Sequence, residues 1–330
     1  MAEQREKVAV IGSGQIGKSW ALLFSSAGFQ VCLHDNDSAQ LSNVLEDLKG
    51  QLMTLTSQGL SRGKLDPEEQ LKHVTLTDNL AECVKDAGVI MEAVPEVMEV
   101  KKKVFEQVDD VMKDDAILSS STSSMLPSVL SADLKHRQQF LVMHPVNPPF
   151  HVRAVELVPA PWTSGDVMQR SRALMVRLGQ APVVMKKEIE GFVLNRMQFA
   201  ILGESWRLLK EGVVGVDGIN KAVWSGLGPR YAFLGPFQVG HLNGPGIKTY
   251  LDKYGPTILR LQSSMGPAGL MGGELAEEVE REMIKEVPLD RLAERRRWRE
   301  VRIAHLSKLK RDIDLQEKKE IEEGKLEPLP

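Results

Sequence analysis

The chain has 330 residues, 42% hydrophobic and 26% charged, enough length for two globular domains and enough apolar material for a sizeable core. A formal net charge of -3 supplies no global basic field, which argues against nucleic acid and anionic membranes as partners, and no apolar run approaches the ~20 residues of a membrane span. The charged start holds no apolar signal-peptide core, and two cysteines, Cys32 and Cys83, without a CxxC or Cys/His cluster predict a reducing, cytoplasmic setting and no metal.

Residues 7–11, KVAVI, read as a buried parallel strand. GSGQIG follows, then an apolar helical stretch over 18–27 that Gly28 ends. A second strand at 29–33 runs into His34-Asp35-Asn36-Asp37 and completes a β–turn–α–β unit. Next come a helix over 41–57, a strand at 74–76, a helix at 80–85, a strand at 89–94 and a helix over 97–112. A strand at 116–118 leads into a serine-rich loop and another lies at 140–143, while 155–158 and 183–185 are expected to extend the sheet. Strands separated by helices imply an α/β fold with a doubly wound, mostly parallel Rossmann sheet. Beyond about residue 187 the spacing is helical throughout. The expected organisation is a dinucleotide-binding domain over 1–187, an all-α substrate and dimerisation domain over 188–313, and a charged tail without fixed structure over 314–330.

Gly12, Gly14 and Gly17 form GxGxxG between a strand and a helix, the context that gives this motif its mechanism. Gly12 allows the tight turn, Gly14 lets the backbone approach a pyrophosphate, and Gly17 lets helix and strand pack. Phosphates would rest on the helix N-terminus. Asp35, at the end of the second strand, is placed to grip ribose hydroxyls, and its carboxylate would repel a 2′-phosphate, so NAD is expected rather than NADP. Asp37 is a weaker candidate for the same task.

Of seven histidines, His144 stands apart, because it ends the apolar strand FLVMH and enters the proline-stiffened loop PVNPP. The carboxyl end of a sheet strand is where ligands bind in open α/β folds. An alcohol that gives up hydride needs a base for its hydroxyl proton, and imidazole suits that exchange near neutral pH. Glu156, inside the apolar strand AVELV, is a plausible partner for the other ring nitrogen if the two strands run antiparallel. From spacing alone, a His–Glu pair that only secures a loop fits equally well. The run Ser119–Ser124 is either a flexible loop or a set of donors to a substrate oxygen.

GSGQIG with Asp35, Pro95-Glu96, STSS, HPVNPP, VELV and GFVLNR occur in the order that resembles the 3-hydroxyacyl-CoA dehydrogenase family, over residues 7–310. LSSSTSSMLPS, HPVNPPF, KEIEGFVLNR and GPRYAFLGP resemble a branch of that family acting on a small free hydroxy acid. The resemblance implies a Rossmann domain, a helical domain that forms a homodimer, His144 as base and Glu156 as its orienting partner. It further implies that Ser123 and Asn147 hold the substrate or its oxygen and that Asn195 is another polar active-site position. Gln15, Ile16, Asp35, Glu96 and Lys101 align with dinucleotide contacts. Ser121 departs from the asparagine usual in acyl-CoA members, and the segment around Arg230 is also unlike them. Arg230 is either a fork for a free substrate carboxylate or an ordinary surface arginine. Rival readings are a 3-hydroxyacyl-CoA dehydrogenase, a structural protein retaining NAD binding, and nucleic-acid binding through the basic stretch 291–311, whose interspersed acids favour a charged helix face instead.

Overall fold

The structure, a computed structural model, describes residues 6–63 and 65–327. The first five residues of the charged start and the last three of the expected tail lie outside the described residues. Contacts divide the chain into two compact units, Met1–Leu194 with Arg296–Pro330, and Asn195–Arg295.

The first unit runs β1 (Lys7–Ile11), α1 (Gln15–Ser26), β2 (Gln30–His34), α2 (Ser38–Ser57), α3 (Pro67–Leu71), β3 (Val74–Thr77), α4 (Leu80–Val84), β4 (Val89–Glu92) and α5 (Met98–Asp109). It continues through β5 (Ile117–Ser120), α6 (Pro127–Ser131), β6 (Phe140–Pro145), β7 (Ala154–Pro159), α7 (Gly165–Arg177) and β8 (Ala181–Val184). These strands form one eight-stranded sheet in the order β3-β2-β1-β4-β5-β6-β7-β8. All neighbours are parallel except β6 and β7, which run antiparallel. This is the doubly wound α/β architecture expected from the alternation of strands and helices.

The strands are apolar on both faces because helices cover both. Val8, Val10, Val31, Leu33, Leu141 and Met143 pack on one side with α1, α2 and α7. Their neighbours Ala9, Ile11, Cys32, Phe140 and Val142 pack on the other with α4, α5 and α6. The period of two thus feeds two cores, and each fully buried Val, Leu or Phe contributes about 1.5–3 kcal/mol. Strand order reverses around β1 and β4, and the crevice at their carboxyl ends is where an open α/β sheet binds its ligand.

The second unit is helical: α8 (Leu194–Lys210), α9 (Val216–Lys221), a π-helical segment (Ala222–Leu227), α10 (Gly228–Tyr231), α11 (Pro236–Leu242), α12 (Ile247–Met265) and α13 (Glu274–Glu286). Helix α14 (Leu292–Glu322) follows, and from Arg296 onward it belongs to the first unit. Ala304 joins the core there, and Asp314 meets Arg153 at 3.0 Å. The expectation of a tail without fixed structure from 314 differs from this helix, which continues through Glu322. Its polar side chains pair at helical spacing, as in the ion pair Lys308–Asp312 at 2.6 Å and the hydrogen bond from Gln316 to Glu320 at 2.9 Å, so a composition that reads as unstructured is that of an exposed helix face.

Candidate active site

The glycine turn joins β1 to α1 at the switch point. Gly12 has φ +101, and a Cβ there would lie 2.6 Å from the Ala93 carbonyl oxygen. At Gly17 a Cβ would come within 1.8 Å of the Gly12 oxygen, so the helix sits against the turn only because residue 17 lacks a side chain. Gly14 caps α1 in an extended conformation, with nothing within 4 Å of a built Cβ. No side chain caps this helix start and no acidic residue occupies its first turn. An open backbone with a free positive helix end fits a dinucleotide pyrophosphate.

Asp35 closes the far side of the turn. Its Oδ2 accepts from the Ser13 amide at 2.8 Å and hydroxyl at 2.7 Å, and its Oδ1 accepts from the Asp37 amide at 3.1 Å. Burial works to raise the Asp35 pKa, but these donors outweigh it and hold the carboxyl below the usual range. Asp37 has another task, capping α2 by accepting from Ala39 N at 2.9 Å and Gln40 N at 3.3 Å. Gln15 starts α1 and donates to Asn147 Oδ1 at 3.2 Å, tying the turn to the loop after β6, where the Asn147–Pro148 bond is cis. Ile16 is half-buried against the core.

The serine-rich loop after β5 is gathered by one carboxylate. Glu96 accepts from the Thr122 hydroxyl, from the Ser123 amide at 3.1 Å and from the Ser124 hydroxyl at 3.1 Å. Burial would raise its pKa, but Thr122 and Lys101 together lower it. Lys101 is 1% exposed, with its ammonium 2.7 Å from Glu92 and 3.2 Å from Glu96. Glu92 is a residue that the spacing of motifs did not single out. It ends β4 fully buried, accepts also from Ser120 Oγ at 2.5 Å and Val94 N at 2.7 Å, and burial raises its pKa. Its signal was a lone acid in the apolar strand VIME, a position costly to bury without partners. Ser121 accepts from the Trp20 indole at 3.0 Å, so its hydroxyl is turned toward α1.

His144 is the penultimate residue of β6 and is 7% exposed. In the antiparallel pairing with β7 it lies directly opposite Glu156, and its Nδ1 is 2.7 Å from Glu156 Oε2. Glu156 is fully buried, and its Oε1 accepts from the amides of Val193 at 2.7 Å and Leu194 at 3.0 Å. The imidazole packs 5.6 Å from the ring of Phe192, which is buried and held at φ +49. Left-handed backbone is unfavourable for a bulky aromatic, and such strain clusters where a fold positions functional groups. Phe192 also escaped the motif reading, although it stands inside GFVLNR.

The first unit therefore brings together Gly12, Gly14, Gln15, Ile16, Gly17 and Asp35 at the turn, Glu96, Lys101 and Ser123 at the serine loop, and His144, Asn147 and Glu156 around β6. Ser123 and Asn147 are exposed. Asn195 and Arg230 belong to the second unit, where Arg230 sits exposed in α10. Among the described residues no His/Cys/Asp/Glu group is arranged to hold a metal, and no helix is long and apolar enough to cross a membrane.

Comparison with known proteins matches this arrangement. Residues 7–189 match the NAD binding domain of 3-hydroxyacyl-CoA dehydrogenase and residues 191–281 match its C-terminal domain. The lambda-crystallin homolog of Rattus norvegicus is 45% identical over 94% of this chain and 98% of its own length. L-carnitine dehydrogenase of Oceanobacillus iheyensis is 33% identical over 77% of this chain and 81% of its own. In fold, the chain is similar to 5-formyl-3-hydroxy-2-methylpyridine 4-carboxylic acid 5-dehydrogenase, with TM-score 0.77 at 23% identity over 94% of this chain and 99% of that one. The glycine turn, the acid at the end of β2 and the two matched domains together place the chain in the 3-hydroxyacyl-CoA dehydrogenase family, as an NAD-dependent oxidoreductase acting on a CH–OH group.

Proposed function

We propose that this protein oxidises the 3-hydroxyl of a small free hydroxy acid, with L-gulonate as the substrate and 3-dehydro-L-gulonate as the product. The observation that carries the reading is the His144–Glu156 pair at the carboxyl end of β6, with Glu156 itself held by two backbone amides. NAD⁺, when bound, supplies the hydride acceptor. Gly14 makes room for its pyrophosphate, Gly12 and Gly17 let the turn and helix pack behind it, Gln15 and Ile16 lie beside it, and Asp35 receives ribose hydroxyls. Glu96 faces it as the resemblance implies, and Lys101, closed off beneath, acts by holding Glu96 in place.

A carboxylate at Nδ1 fixes the imidazole tautomer, leaving Nε2 to take the hydroxyl proton as the carbon is oxidised. Glu156 then stabilises the imidazolium that forms. Ser123 and Asn147 hold the reacting oxygen, and Asn195 adds a polar contact. The free carboxylate of the substrate is the group that a guanidinium fork at Arg230 would recognise. A small free acid is also the kind of substrate named in L-carnitine dehydrogenase, a relative of this chain. The second unit exposes Trp224, Phe237 and Leu270, at 66%, 78% and 95%, and a second copy of the chain in a homodimer is the occupant proposed for them. Two buried free thiols, Cys32 and Cys83, suit the cytoplasm.

The test is NADH or NADPH formation from L-gulonate, 3-hydroxybutyrate and a short 3-hydroxyacyl-CoA, each with NAD⁺ and NADP⁺. Turnover of L-gulonate with NAD⁺, and a raised KM for it in Arg230→Ala, support the reading. Turnover confined to the acyl-CoA would keep the chemistry and overturn the substrate.

A further inference from the structure

Glu92 and Lys101 form an ion pair at 2.7 Å inside the first unit, with the acid fully buried and the lysine 1% exposed. Taking two charges out of water is costly, and such a pair is often no more stabilising than well-packed apolar residues in its place. What this pair does impose is geometry.

Glu92 stands directly beside Ser120 in the parallel pairing of β4 and β5, at the carboxyl ends of both strands. Its Oε1 accepts from Val94 N at 2.7 Å as well as from Lys101, and its Oε2 accepts from Ser120 Oγ at 2.5 Å. Its main-chain oxygen accepts from Ser121 N at 2.9 Å, and Ser120 Oγ accepts in turn from Thr122 N at 3.2 Å. One residue thereby fixes the roots of two loops. The loop after β4 begins with Ala93, whose amide donates to Ile11 O at 2.7 Å and whose carbonyl walls the glycine turn at Gly12. The loop after β5 carries Ser123. Lys101 reaches across to Glu96 at 3.2 Å, the acid that accepts from the Ser123 amide at 3.1 Å.

We propose that Glu92 is a positioning residue for the reacting oxygen: through Ser120 at the root of the serine loop, and through Lys101 and Glu96 further along it, Glu92 fixes where Ser123 stands relative to the glycine turn. The inference rests on the reading above, in which Ser123 holds the oxygen of the hydroxy acid. A shift of about 1 Å in such a group is enough to cost roughly 100-fold in rate, so the brace need only slacken to be felt. Glutamine at position 92 keeps the volume, removes the charge opposite Lys101 and turns one of two acceptor oxygens into a donor.

The experiment compares the full native chain with Glu92→Gln and with Ser120→Ala, a smaller change that keeps the test open should the first variant fold poorly. Steady-state kinetics on L-gulonate with NAD⁺ are expected to show kcat lowered at least about tenfold in Glu92→Gln and about threefold in Ser120→Ala, with KM for NAD⁺ within about twofold. Amide hydrogen exchange, which needs no turnover, is expected to quicken at least about tenfold over residues 121–124 while β1 keeps its protection. Unchanged exchange in that loop, or kcat within about twofold of native in both variants, would overturn the proposal. Exchange quickened throughout the first unit, with NADH affinity and kcat lost together, would overturn it too by making Glu92 a fold element. Should the native chain turn over 3-hydroxybutyrate or the acyl-CoA instead of L-gulonate, the same comparison on that substrate decides the role of Glu92 separately from the choice of substrate. No turnover of any of them by the native chain would overturn the functional reading and this inference with it.

Discussion

Nδ1 of His144 and Oε2 of Glu156 stand 2.7 Å apart across an antiparallel strand pair in which the two residues are directly opposite. The register does the aiming, since a slip by one residue would turn Glu156 to the other face of the sheet. Because Oε1 is occupied by two amides, the carboxylate cannot swing away without orphaning them. On the proposed mechanism Glu156 is a positioning residue acting through His144. Glu156→Gln is expected to lower kcat by about 100-fold or more while leaving KM near its original value. Steady-state kinetics check the split, and equal losses in NADH affinity would instead mark Glu156 as a fold element.

Gly14 and Gly17 separate packing from binding. Gly14→Ala meets nothing within 4 Å and is expected to cost under about 1 kcal/mol, as an alanine at a helix N-cap. Its methyl group nevertheless stands where a pyrophosphate must approach, so the Kd for NADH should rise at least about tenfold, or about 1.4 kcal/mol. Gly17→Ala would place a methyl 1.8 Å from a carbonyl oxygen and should cost about 1–3 kcal/mol or more in stability. Thermal melts beside NADH titrations distinguish the two.

His151 ties stability to pH. Burial first, then Arg62 and Arg311, lower its pKa from 6.5 to about 4 in the folded chain. Between those values the unfolded chain binds a proton that the folded chain refuses, so stability rises with pH. It is complete above about 6.5 and is lost as pH falls toward about 4. The Tm of the native chain should therefore fall more steeply over that window than the Tm of His151→Asn. Parallel curves would show that His151 does not carry this dependence.

Much of the first unit was legible because its signals are local. An apolar β-branched run, three glycines and an apolar helix specify β1, the turn and α1 within 20 residues of sequence. The place of His144 near the end of a strand was legible from the apolar run that precedes the prolines. The direction of β7 was not, since strand spacing reads the same in either orientation, and the Glu156 partnership hung on it. Glu92 and Phe192 were passed over for related reasons, one being a single acid in an apolar strand and the other a backbone conformation that no residue type announces. The return of α14 to the first unit was equally invisible. Helical period shows which face is apolar but not which distant surface will bury it.

The most direct measurement is kcat/KM of His144→Gln for L-gulonate, taken with the Kd for NADH on the same protein. The account predicts a loss of about 100-fold or more with NADH affinity unchanged, because His144 handles only the hydroxyl proton. Activity within about tenfold of the native chain would contradict it, since a base worth so little is not the general base of the reaction.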